Sequence, residues 1–166
     1  MTLRLILIRH AKSDWDDPLL SDHDRPLNAR GRKNAPQIRG WLMDRGYRPD
    51  MCLCSTAKRA AETWSLIGSA LPEPVVTDFT GRLYHAGPDT MLSVLRGADA
   101  TSVAMVGHNP GIASFAHRLC KSPPAHPRFS DYPTAATTII DFTADLWSDV
   151  TWSSGTATDF VIPREL

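Results

Sequence analysis

From Leu3 to Ile8 every position is apolar except Arg4, and no polar alternation follows it. Such a run predicts a strand covered on both faces, as in the middle of a parallel sheet. The same pattern returns in shorter form at Met51–Cys54, Val75–Thr77 and Ser102–Val106. Between these runs lie segments of helical length, Asn28–Arg45, Thr56–Leu71 and Pro88–Arg96, and a fourth, Pro110–Cys120, follows the last of them. The first helix carries Ile38, Trp41 and Leu42 at three- and four-residue spacing, a core-facing stripe, so Pro36 must fall near its first turns or kink it. Ala135–Phe142, rich in β-branched residues, predicts a later strand, and Val150–Ile162 one more at an edge. Short strands alternating with helices imply βαβ units, so the fold class is α/β: a three-layer α/β/α sandwich around a mostly parallel sheet.

Composition narrows the class without redirecting it. At 166 residues and 42% hydrophobic, the chain is expected to be one domain spanning 1–166 with a sizeable core. Lys+Arg and Asp+Glu number 18 each, so nothing in the overall charge points to nucleic acid or an acidic membrane. No apolar run approaches the roughly 18 residues of a membrane span, and the hydrophobic stretch at the amino terminus is too short for a signal peptide. A cytoplasmic protein is therefore expected. Cys52, Cys54 and Cys120 are odd in number and lack CxxC spacing, which argues for buried thiols over disulfides or a zinc site.

Two polar loops interrupt the pattern. Asp14–Arg25 holds five aspartates, but an EF-hand count from Asp14 puts Pro18 at position five and Arg25 at position twelve, so calcium binding is excluded and a solvated entrance loop whose carboxylates orient arginines is expected. Lys121–Pro133 holds four of the thirteen prolines. His23, His117 and His126 are isolated, so no metal is predicted, and the five tryptophans lack a basic stripe and read as core.

In open parallel sheets the ligand crevice lies beyond the carboxyl ends of the strands. Strand one ends in Arg9-His10, strand two in Ser55-Thr-Ala-Lys-Arg59 and the fourth in Gly107-His108-Asn109-Pro110. A lone histidine after a strand is more often structural, but two arginines and two histidines converging on one edge suit a dianionic phosphoryl group. Asn109 is expected to cap the last of these helices with Pro110 in its first position, leaving free N–H groups for the anion. A neutral imidazole among cations can attack phosphorus and form a covalent phosphohistidine, and the nearby positive charges are expected to keep His10 unprotonated for that role.

Arg9-His10-Ala-Lys-Ser13-Asp-Trp15 resembles the R-H-x-x-S-x-W opening of the histidine phosphatase superfamily, which includes the cofactor-dependent phosphoglycerate mutases. Ser55 to Thr63 resembles that family's S-x-x-x-R-A-x-x-T helix start, and Gly107-His108-Asn109-Pro110 its second-histidine motif. The three motifs occur in the family's order. The segment Asp22–Gly31 and the short length resemble the small phosphohistidine phosphatases of the SixA type. The resemblance implies a phosphoglycerate mutase-like fold and His10 as phosphoryl acceptor. It places Arg9, Arg59 and His108 around the phosphate, with Ser13 and the Asn109 backbone as further phosphate contacts.

Two departures matter. Asp16 stands where the family's sugar-phosphate enzymes usually have Asn, and a carboxylate there would repel a second anionic group. No carboxylate lies between Asp78 and Asp89, where larger members supply a glutamic acid, leaving His85 and Asp22 as substitute acids. An alkoxide leaving group needs that proton, whereas a protonated imidazole leaves readily. The sequence thus predicts a metal- and cofactor-independent phosphatase of phosphohistidine, on a protein or a small phosphorylated molecule. The alternatives are a small-molecule phosphomonoesterase or mutase of the same superfamily, and a non-catalytic phosphate-binding module.

Overall fold

Strand β1 (Thr2–Arg9) sends alternate side chains to opposite faces, as strand geometry requires. Leu3, Leu5 and Leu7 pack into one buried cluster, Ile6 and Ile8 into another. The structure is a computed structural model that describes residues 2–71 and 74–166. Its further elements are α1 (Ala29–Arg45), β2 (Met51–Ser55), α2 (Lys58–Gly68), β3 (Val76–Thr80), α3 (Pro88–Arg96), β4 (Ser102–Gly107), α4 (Gly111–Leu119), β5 (Thr137–Thr143) and β6 (Thr156–Val161).

The described strands form one sheet in the order β3-β2-β4-β1-β5-β6. β1, β2, β3 and β4 run parallel, β5 is added antiparallel beside β1, and β6 antiparallel beside β5. The cluster containing Leu5 and Leu7 is completed by Met91 and Leu95 of α3 and Ile112 and Phe115 of α4. The cluster containing Ile6 and Ile8 is completed by Ile38 and Leu42 of α1 and Ala60, Trp64 and Ile67 of α2. Two helices therefore cover each face, giving the three layers that the alternation of elements predicts.

Helix α1 starts where Asn28 accepts the Gly31 N–H on its side chain at 2.9 Å. It stops at Gly46, whose φ of 73° only glycine adopts without cost. Pro36 lies at the eighth helical position of α1. Two expectations need correction. β3 is an edge strand with Val76 and Phe79 exposed, not a strand covered on both faces. Trp41, Trp64 and Trp147 are buried, but Trp15 is 69% exposed. The loop 121–133 is anchored in the core: Tyr132 is fully buried and its hydroxyl donates to the Leu7 carbonyl at 2.8 Å. Cys52, Cys54 and Cys120 are free and buried. Among the described residues no helix is long and apolar enough to cross a membrane.

Candidate active site

β1 and β2 flank β4, so the residues that follow these three strands emerge side by side at one edge of the sheet. Arg9 pairs with Gly107 in register, and the His10 N–H donates to the Gly107 carbonyl at 3.1 Å. Thr63 ties α2 to this edge: its hydroxyl accepts the Ala11 N–H at 2.9 Å and donates to the Arg59 carbonyl at 2.7 Å. A cavity of about 340 Å³ opens here. All the sequence-predicted residues line it, namely Arg9, His10, Ser13, Asp22, Arg59, His85, His108 and Asn109, together with Lys12, Trp15, Arg25 and Thr134.

His10 is buried, and its Nδ1 lies 2.7 Å from the Ala11 carbonyl oxygen. That oxygen can only accept, so the ring proton sits on Nδ1 and Nε2 keeps its lone pair. Burial pushes His10 down to about 3; the Ala11 hydrogen bond opposes this, and His108, Arg9 and Arg59 add to it. The neutral ring is as expected, but its first cause is desolvation rather than the neighbouring charges.

His108 stands 5.0 Å from His10, centroid to centroid. Its Nε2 lies 2.7 Å from the Ser55 hydroxyl, which itself accepts the Ala57 N–H at 3.3 Å. The Ser55 hydroxyl keeps both a proton and a second lone pair, so either partner can donate across this contact and it does not fix the His108 tautomer. Burial, followed by Arg59 and His85, lowers His108 to about 3, so this ring is neutral too. Arg9 donates from Nη1 to the Tyr132 carbonyl at 3.1 Å, and Arg59 donates to the Asp22 carbonyl at 2.6 Å and to Asp22 Oδ2 at 3.0 Å.

Among the described residues, five buried side-chain nitrogen or oxygen atoms lack a hydrogen-bond partner: Arg9 Nε, Arg59 Nε, His108 Nδ1, Asn109 Oδ1 and Ser102 Oγ. Buried polar atoms are nearly always paired, so exceptions call for an explanation. Three of the five lie on the three residues that the sequence placed around a phosphoryl group, and two of these, Arg9 Nε and Arg59 Nε, are guanidinium donors.

Asp22 organises the entrance. Its carboxylate accepts from the Tyr84 hydroxyl at 2.6 Å, from Arg59 at 3.0 Å and from Arg25 Nε at 3.1 Å, and His85 Nε2 lies 3.5 Å away. Tyr84 chiefly, with Arg59 and Arg25 and against its own burial, holds Asp22 well below the usual carboxylate range. Asp22 is therefore an acceptor that orients arginines, which corrects its expected place among the substitute acids. Asn109 is a second correction. Its Nδ2 donates to the carbonyls of Asp131 at 2.8 Å and Tyr132 at 3.1 Å, so it does not cap α4, whose N-cap is Pro110 without a side-chain bond. Asp16 is exposed and folds its N–H onto Asp14 Oδ1 at 2.7 Å; it is not among the residues lining the cavity.

His85 has a φ of 54°, a left-handed conformation uncommon outside glycine, and its side chain is 65% exposed at the cavity mouth. Its ring is 4.0 Å from that of Tyr84. Residues missed in the sequence complete the frame. Arg25 is buried, donates to the Ser13 hydroxyl at 2.8 Å and stacks its guanidinium 3.4 Å over the Trp15 ring. Arg25 could have been found as the basic member of the segment 22–31. Tyr84 lies between Asp78 and Asp89, where the sequence pointed to His85 alone. Among the described residues no three His, Cys, Asp or Glu side chains group as a metal site.

The chain is similar to known proteins in sequence and in fold. The family model of the histidine phosphatase superfamily (branch 1) matches residues 5–80. An uncharacterised protein of Mycobacterium tuberculosis is 33% identical over 164 residues, which covers 95% of this chain and 100% of the relative. Two solved structures, candidate SixA phosphohistidine phosphatases, match nearly end to end. That from Agrobacterium tumefaciens has a TM-score of 0.78 at 29% identity, covering 97% of this chain and 99% of its own. That from Nakamurella multipartita has a TM-score of 0.79 at 26% identity, covering 98% and 97%.

Proposed function

Because the chain belongs to the histidine phosphatase superfamily, we propose that it removes the phosphoryl group from phosphohistidine, on a protein or a small molecule, through a covalent adduct on His10. The Nε2 lone pair attacks phosphorus as the bond to the departing imidazole breaks. That ring, protonated on its second nitrogen, leaves neutral with the bonding electron pair. Water then attacks the His10 adduct, releases phosphate and restores the neutral ring.

The observation that carries this reading is the set of unpaired buried nitrogens, the donors Arg9 Nε and Arg59 Nε and the ring nitrogen His108 Nδ1, on the residues around a His10 whose Nε2 is free. A phosphoryl group supplies the acceptor oxygens that the two guanidinium donors lack, and the charge spread over its three equatorial oxygens in the transition state is what they stabilise. The two guanidinium charges support turnover without a metal. Ser13 accepts from Arg25 and retains its own proton for a phosphoryl oxygen. Buried free thiols support a cytoplasmic setting.

The second reading, a small-molecule phosphomonoesterase, is favoured by one observation: His85, exposed at the mouth 3.5 Å from the Asp22 carboxylate, is placed to protonate an ester oxygen. The separating experiment assays a phosphohistidine-bearing carrier protein, free phosphohistidine and a panel of phosphate esters in chelator. The proposal expects P–N substrates to be preferred. Sugar phosphates turned over faster than both would give the second reading the lead.

A further inference from the structure

A second hollow of about 260 Å³ lies between the segment preceding α3 and the start of α4. It shares two lining residues, His85 and Asn109, with the phosphate cavity, so the two hollows meet at that pair. Their chemistry differs. The phosphate cavity carries Arg9, Arg25, Arg59, Lys12 and Asp22, whereas beyond the shared pair the second hollow is walled by Ala86, Gly87, Pro88, Pro110, Gly111 and Ser114. None of these six side chains is charged, and Ser114 alone among them is polar.

We infer that this cleft is the leaving-group subsite, and that it takes a flat five-membered ring, the imidazole of a phosphohistidine, which departs uncharged, with the scissile bond lying at the junction beside His85. The inference rests on the functional reading above. With phosphorus among the donors of the first cavity, the departing group must extend through an adjoining space, and the junction at His85 and Asn109 opens one. Its volume is below the roughly 300–1,000 Å³ of pockets that hold drug-sized ligands, which suits a single ring. Beyond His85, Asn109 and Ser114 its walls offer no polar side chain, so most hydroxyls of a sugar would lose water without gaining a side-chain partner. The cleft is also preformed. A Cβ at Gly111 would stand 1.8 Å from the Ala86 carbonyl oxygen, so only glycine lets the two walls approach this closely.

The test uses two P–N donors that carry the same phosphoryl group and differ in what departs. N-phosphoimidazole releases imidazole, and phosphoramidate releases ammonia, which needs no cleft. Ser114 is exposed on α4, and a Cβ at Gly87 meets nothing within 4 Å, so Ser114→Phe and Gly87→Leu can occupy the cleft without disturbing the core. Each is expected to lower kcat/KM for N-phosphoimidazole at least tenfold while phosphoramidate stays within twofold, which also reports that the variant is folded. Equal loss on both donors, or no loss on either, overturns the subsite. If the wild-type protein turns over neither donor, the functional reading fails and the subsite with it, an outcome distinct from the other two.

Discussion

Acidification from pH 7 to pH 5 should destabilise this protein through His10 itself. In the fold His10 titrates near 3, while an unfolded histidine titrates near 6.5. Between those values the unfolded chain binds the extra proton, so stability is complete above about 6.5 and falls as pH drops toward 3. For a shift of that size the His10 contribution at pH 5 is about 2 kcal/mol below its value at pH 7. His108, also near 3, adds a similar amount, reduced or increased by its coupling to His10 at 5.0 Å. The perturbation that isolates the term is His10→Gln, which cannot titrate. Denaturant unfolding at both pH values should find that His10→Gln loses about 2 kcal/mol less than wild type on acidification. Equal losses would mean that the His10 ring is solvated and protonates normally, and the argument for a neutral nucleophile held by burial would collapse.

Two further outcomes follow from the site. Arg59→Ala removes a buried guanidinium beside His10, and kcat/KM should fall by about 2 kcal/mol of transition-state stabilisation, roughly thirtyfold, in steady-state assays; a change below threefold would mean that Arg59 serves only Asp22. In a series of phosphate esters of graded leaving-group pKa, all in chelator, His85→Gln should slow alkyl esters far more than aryl esters and leave phosphohistidine little changed; a uniform effect would remove His85 as proton donor.

The sequence made the sheet edge legible because its signal is local. A buried strand ending in a histidine appears at Ile8-Arg9-His10 and at Val106-Gly107-His108, and the two histidines meet in the structure since β1 and β4 are register neighbours. What it hid depends on contacts between distant segments. Asp22 looked like one aspartate among five in an entrance loop, and only the approach of Tyr84, 62 residues away, and Arg59, 37 residues away, turns it into a fixed acceptor. Asn109 had the composition of a helix cap, but the carbonyls of Asp131 and Tyr132, brought over the edge by the loop anchored through Tyr132, compete for its amide. β3 was misjudged for a related reason: a short apolar run does not say whether another strand lies beside it.

The central claim is that His10 Nε2 carries the phosphoryl group. Rapid quenching in alkali after mixing with a labelled P–N donor, followed by peptide mass spectrometry, should find an acid-labile phosphate on the peptide containing His10, in wild type and not in His10→Ala, which should also lack turnover. Label on the His85 or His108 peptide instead, or wild-type turnover by His10→Ala, would contradict the account.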